Sequence, residues 1–319
     1  PENARGEGPL SVEKETGGRM PPQKQEGMVM KIIDAHMHYY DIDKFYEVAE
    51  NAGHENTAAC WQQICQENNI VFAVAMGNSE DAPSRYGGST PRLINLSGPF
   101  DEKNYNQPLS MGYCLGVKSE DITLANAEKT AQEFEHYLSD PHCLGIKFYP
   151  GYRPVFIYDE RHYPLFELAR HYNVPVAVHT GDTATPAAKL RYAHPLTVDE
   201  VAADFPDVQF VICHCGNPWL LDATEVATKN DNVAVDLSGL LEGIPGPHFY
   251  RQNQGYFDYL GMWLRYMNRW DKLMYGSDWP LINIPDYIAI MRQLIPEEHQ
   301  EAFFYSNALR VYSRIQKIL

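Results

Sequence analysis

Residues 33–38 read Ile33-Asp34-Ala35-His36-Met37-His38, an apolar start that runs into two imidazoles one residue apart. Side chains on an extended strand alternate between faces, so His36 and His38 share one. Such a pair is either two polar residues at a sheet rim or two ligands of one metal ion. The second reading requires other strands to end in chemically capable residues and a fold that brings those ends together.

The rest of the chain meets both conditions. From Met28 onward, short β-like runs alternate with helix-like segments, and eight runs stand out: 31–34, 70–75, 113–117, 144–149, 174–179, 208–214, 232–237 and 272–276. Thr197-Val198-Asp199-Glu200 reads as a capping box, with Leu196 and Val201 as its hydrophobic staple and Pro206 just past the helix end. Pro164 opens another helix, in which Leu165, Leu168, Ala169 and Tyr172 repeat at helical spacing. Strand alternating with helix implies parallel pairing. Eight such units fit an α/β (β/α)8 TIM barrel better than an open doubly wound sheet, which would call for a Gly-x-Gly-x-x-Gly loop. Residues 28–319 are therefore expected to form a single metal-dependent (β/α)8 barrel domain. Residues 1–27, rich in Gly, Pro, Glu, Lys and Gln and nearly devoid of apolar side chains, are expected to be a flexible N-terminal tail.

In such a barrel the active site lies where the strands end and the βα loops begin. Strand one ends in His36 and His38. Strand four carries Lys147 in GIKFYP, strand five ends in VAVHTGD with His179, strand six in VICHCGN with His214, and strand eight in YGSDWP with Asp278. Each has an ordinary alternative use: Lys147 can lay its stem along the rim, and Asp278 can close a turn before a proline. Five strand ends at once favour chemistry. Zn2+ and related ions take neutral imidazoles and a carboxylate with one position left open, which His36, His38, His179 and Asp278 supply. His214 is left to face a bound water or the substrate. Asp34, Asp182 and Ser277 are candidates for orienting the imidazoles. Cys213 and Cys215 flank His214, but strand alternation is expected to turn both sulfurs away from that ring. The long loops 76–110 and 238–255 are candidate substrate walls. Tyr149, Tyr152 and Arg153 follow strand four; an Arg fork suits a substrate carboxylate, and a surface ion pair is the plainer use of Arg153.

With 42 acidic against 26 basic residues, the formal net charge is -16, which disfavours nucleic acid and anionic lipid as partners. No apolar stretch approaches the roughly 20 residues of a membrane span, and no basic-then-apolar leader is present, so the expected compartment is the cytoplasm. The six cysteines lack the dense spacing of a disulfide scaffold and read as reduced thiols.

The series DAHMH, GIKFYP, VHTGD, CHCGN and GSDWP resembles the metal-dependent amidohydrolase superfamily, specifically its amidohydrolase-2 branch, which also holds decarboxylases and lactone hydrolases. The resemblance runs from Met28 to the C-terminus. It implies one divalent ion, Zn2+ with Mn2+ as the alternative, held by His36, His38, His179 and Asp278. A second ion would be held if Lys147 were carboxylated, with His214 as its ligand. It implies hydrolysis of an amide, lactone or ester bond by a metal-activated water. Asp278 would take the proton, His214 would stabilise the oxyanion, and Lys147, Tyr149, Tyr152 and Arg153 would bind the substrate. A small carboxylate-bearing metabolite is the expected partner, in a chain that forms a homodimer. The alternatives are a metal-dependent decarboxylase of an unsaturated or aromatic carboxylic acid and a non-catalytic metabolite-binding barrel. Some decarboxylases of the branch replace the first His of the pair with an acid; retention of both His36 and His38 favours hydrolysis.

Overall fold

The computed structural model describes residues 30–40, 42–77 and 110–319; the tail expected at 1–27 and most of the loop 76–110 lie outside the described residues. Eight parallel strands follow one another around the sheet in chain order. They are β1 (Ile32–Met37), β2 (Ile70–Met76), β3 (Met111–Gly116), β4 (Cys143–Phe148), β5 (Val176–Val178), β6 (Phe210–Ile212), β7 (Val233–Asp236) and β8 (Leu273–Met274). The ring closes between its ends, where Ala35 N–H donates to Tyr275 O and Asp278 N–H to His36 O, both at 2.9 Å. Every run read from the sequence overlaps one strand.

Helices α1 (Asp43–Asn51) and α2 (Ala58–Asn68) precede β2, and α3 (Ala127–Leu138), α4 (Tyr163–Tyr172), α5 (Leu196–Asp204) and α6 (Leu220–Lys229) precede β4 to β7 in turn. Helices α7 (Phe249–Gln252) and α8 (Gln254–Met267) precede β8, and α9 (Ile284–Leu294) follows it. Alternate strand residues divide between two cores. Ile33, Phe72, Val74, Ala177, Val211, Ala234 and Met274 meet inside the ring, while Ile32, Ala73, Val176, Phe210 and Leu273 pack outward beneath the helices. Burial on both faces is why the strands read as unbroken apolar runs.

The C-terminal segment seals one end of the ring. Ala308, Val311, Tyr312 and Ile315 belong to the inner core. Arg314 anchors them by donating to the carbonyls of Leu138, Asp140 and Cys143 at 2.8, 3.2 and 2.8 Å, where the chain enters β4. The opposite end, at the strand C-termini, stays open.

Two local expectations are corrected. The capping box at 197–200 does not form, because α5 starts earlier, behind Pro195 with φ -56. The Thr197 hydroxyl turns back to His194 O at 2.7 Å, and Asp199 accepts instead from Lys229 and Asn230. The loop after β7 is shorter than 238–255, since α7 and α8 already occupy its second half, and Gly243 is pinned by its N–H to Leu281 O at 2.7 Å. Pro164 stands in the first turn of α4 as expected.

Arg314→Ala should remove four carbonyl contacts, a long one to Tyr172 O at 3.5 Å included, from the floor of the barrel while leaving the open end untouched. A loss of about 2–3 kcal/mol in urea unfolding is expected, with catalytic activity retained at permissive temperature. An unchanged midpoint would show that the C-terminal seal does not depend on this side chain.

Candidate active site

The open mouth holds a cavity of about 460 Å³ whose wall includes His38, Lys147, Tyr149, Tyr152, Arg153, His179, His214 and Asp278. His36 lies fully buried beneath it. All the strand-end residues singled out from the sequence thus converge on one place.

Backbone irregularities aim them there. A register shift between Asp34 and Met37 breaks the alternation of β1, which lets His36 turn toward the mouth although Ala35 already faces the inner core. After β6 the chain takes left-handed backbone at His214 (φ 61) and Cys215 (φ 47). Regular strand alternation ends there, and the two flanking cysteines go to different cores. Cys215 joins the outer core, but Cys213 stays in the inner one, with its sulfur 3.0 Å from Lys147 Nζ. Asp278 also has positive φ, 58.

Asp236, at the end of β7, organises this arrangement, and it was missed in the sequence. Its Oδ2 accepts from His36 Nδ1 at 2.9 Å. Its Oδ1 accepts from His214 N–H at 3.0 Å, from Ser238 N–H at 3.1 Å and from the Ser238 hydroxyl at 2.5 Å. The signal was available, since VAVDLSG places a carboxylate at a strand end after an apolar run. Of the three residues proposed to orient imidazoles, only Asp182 touches one, through its carbonyl 2.9 Å from His179 Nε2. Asp34 accepts backbone N–H groups of His36 and Ser277 at 3.2 and 2.9 Å. The Ser277 hydroxyl accepts from Trp279 N–H. Both brace the backbone of the rim rather than a ring, because the shift in β1 separates Asp34 from the imidazole face.

With Nδ1 of His36 committed to Asp236, its Nε2 carries the lone pair. That atom and Asp278 Oδ1 are 3.5 Å apart, and both are buried with no hydrogen-bond partner among the described residues. His38 Nε2 lies 3.0 Å from the same oxygen without hydrogen-bond alignment. Buried acceptors left facing one another are costly unless a cation sits between them, so the donors present fit a divalent ion. His36, His214 and Asp278 each offer a ligand atom within 4.8 Å of the others. The His179 ring lies 4.9 Å from that of His214 between centroids, and both line the cavity. The space between is kept free by Gly239 (φ +60), where a Cβ would stand 2.6 Å from Asp278 Oδ2 and 2.7 Å from His214 Nδ1.

Electrostatics suit ligation. Burial, then the Lys147 charge, holds His36 down at about 3, while burial and neighbouring cations also lower His179 and His214. All three rings are neutral at pH 7. Burial pushes Asp278 and Asp236 upward, but the surrounding imidazoles outweigh it and hold both carboxyls well below their ordinary range. Lys147 is wholly buried and makes no salt bridge within 4.0 Å among the described residues. On the wall, Tyr149 donates its hydroxyl to Gly77 O, the Tyr152 hydroxyl accepts from Ala184 N–H at 2.8 Å, and Arg153 pairs with Glu120 at 2.5 Å. The Arg153 ion pair is the plainer of its two expected uses.

The amidohydrolase family model matches residues 121–314, more than half of the chain, and the chain belongs to that family, in the amidohydrolase-2 group. Among curated proteins no relative matches the chain. Solved structures similar to it include an uncharacterized TIM-barrel protein from Bordetella bronchiseptica, 20% identical with a TM-score of 0.64, covering 90% of this chain and 100% of that one. A probable 2-pyrone-4,6-dicarboxylic acid hydrolase from Acinetobacter baumannii, with citric acid bound, is 15% identical (TM-score 0.57; 89% and 100% covered). A 5-carboxyvanillate decarboxylase from Novosphingobium aromaticivorans, complexed with manganese and 4-hydroxy-3-methoxy-5-nitrobenzoic acid, is 11% identical (TM-score 0.54; 89% and 96% covered). These likenesses show the shared barrel. Among the described residues no helix is long and apolar enough to cross a membrane.

Gly239→Ala should preserve the circular dichroism spectrum and weaken divalent-metal binding, because the added methyl would press on Asp278 Oδ2 and displace that carboxylate. Metal bound with unchanged affinity would show that the carboxylate keeps its place without that space. A second expectation concerns acid. In the unfolded chain the imidazoles take protons near 6.5, whereas in the fold His36 stays neutral to about 3 and His162 to about 4. The unfolded state binds more protons across that interval, so stability falls as pH drops below about 6.5. Asp34, pushed up to about 7 by burial, opposes this as a single group. The metal-free protein should therefore melt at lower temperature at about pH 5 than at about pH 7; an equal or higher midpoint would contradict the assignment of neutral rings.

Proposed function

We propose that the protein is a metal-dependent hydrolase that cleaves a C–N or C–O bond, in an amide, lactone or ester, of a small carboxylate-bearing metabolite. One observation carries the reading: His36 Nε2 and Asp278 Oδ1, buried and with no hydrogen-bond partner among the described residues, face each other at 3.5 Å at the base of the cavity, with His38 Nε2 3.0 Å from the same oxygen. His36, His38, His179 and Asp278 would hold one divalent ion, Zn2+ or else Mn2+. When bound, that ion supplies a Lewis acid and acidifies a water toward neutral pH.

The chain's own groups then have separable tasks. Asp278, ionised and at the cavity wall, accepts the proton of the attacking water. His214 Nδ1 lies 3.1 Å from Ser238 O and donates to it, so the neutral ring presents a lone pair at Nε2. It receives the proton relayed from Asp278, faces the developing oxyanion while charged, and gives the proton to the departing nitrogen or oxygen as the C–N or C–O bond breaks, which returns the ring to neutral. Lys147 offers a buried ammonium to a substrate carboxylate. Tyr149 and Tyr152 contribute ring surface, since their hydroxyls contact backbone.

His36→Ala should lose metal and activity together, measured by elemental analysis of protein purified without added ions. His214→Ala should lose activity and keep the metal; loss of an ion in that variant would instead make His214 a ligand. A panel of lactones, amides and carboxylic acids, assayed with CO2 detection, tests the reaction. Release of CO2 without hydrolysis would replace the hydrolase by a decarboxylase, and metal-free protein in both assays would leave only a binding barrel.

A further inference from the structure

Helix α8 exposes an apolar stripe on the outside of the barrel, away from the catalytic mouth. Tyr259, Met262 and Tyr266 are 43, 47 and 69% exposed, and Trp263 stands between them, in edge-on ring contact with both tyrosines at 6.3 and 5.5 Å. The spacing 259, 262, 263, 266 follows one face of a helix. Its opposite face is occupied by Phe257, Leu260, Leu264 and Met267, which are buried in the barrel, so the stripe is not required for folding. An exposed thioether and two exposed phenols around a half-buried indole are what protein interfaces enrich.

The charges beside the stripe indicate what covers it. Asp258 and Arg265 are both exposed, neither makes a salt bridge among the described residues, and their seven-residue spacing on α8 places them on one flank. Like Tyr259 and Tyr266, they straddle Met262. If two copies of α8 pack antiparallel about a two-fold axis, Tyr259 of each copy meets Tyr266 of the other. Asp258 of each then stands beside Arg265 of the other. Opposite charges placed symmetrically about the centre of an apolar stripe make the surface complementary to itself. We propose that this α8 face is a two-fold interface between two copies of the chain.

Aromatic side chains bury roughly 150–250 Å² each when covered, and stable interfaces bury about 800 Å² per partner. The stripe and its flanks fall at the small end, so the association should be reversible and concentration-dependent.

Sedimentation velocity across a concentration series of the full chain tests this. A dimer that dissociates on dilution is expected. Met262→Glu should give monomer throughout with an unchanged melting curve. Asp258→Arg and Arg265→Glu should each weaken association at least about tenfold by setting like charges opposite one another, and the double variant should restore it. A monomer at every concentration would overturn the proposal, as would a dimer indifferent to Met262→Glu or a double variant no better than the single ones.

Discussion

The mouth of this barrel depends on one carboxylate. Asp236 orients the ring of His36 with one oxygen and gathers the backbone of His214 and both donors of Ser238 with the other. Burying an ionised carboxylate is expensive unless every lone pair finds a donor. Here each donor belongs to a residue that lines or supports the site. The hydrogen bond to His36 Nδ1 decides which nitrogen of that ring is free, and so turns a buried histidine into a group that can bind a cation.

Around this anchor, the seam where β8 meets β1 does the positioning. Asp278 reaches the imidazoles because its backbone is left-handed and its N–H is tied to His36 O. Gly276 allows the approach, since a Cβ there would stand 2.8 Å from His36 Cβ and 2.9 Å from Ser238 Cβ. Asp34 completes the seam by accepting N–H groups from both strands. The histidine pair and the aspartate lie more than two hundred residues apart in the chain, and the closure of the ring makes them neighbours.

Much of this was legible before any coordinates. All eight strands could be found because a strand buried on both faces needs a continuous apolar run, which leaves a mark in the sequence. The residues His36, His38, Lys147, His179, His214 and Asp278 could be found because a parallel barrel delivers every strand end to one rim. Asp236 obeys the same rule and could have been found by it. The failures share a cause: each assumed regular geometry at a place where the backbone is irregular. Strand alternation was applied to Asp34, across the register shift in β1. A capping box was read at Thr197, where Pro195 had already begun the helix.

Periodicity and residue type in the chain alone thus specify the barrel, the end at which the polar strand-end residues gather, and the kinds of donor gathered there, because these follow from local patterns repeated along the sequence. The free nitrogen of His36, the pairing of Arg153 with Glu120, the placement of Cys213 against Lys147 and the gap above Gly239 came only with the folded chain. Each is a distance of a few ångströms between residues far apart in sequence. No local pattern encodes such a distance; closure of the ring and the bends at its rim set it.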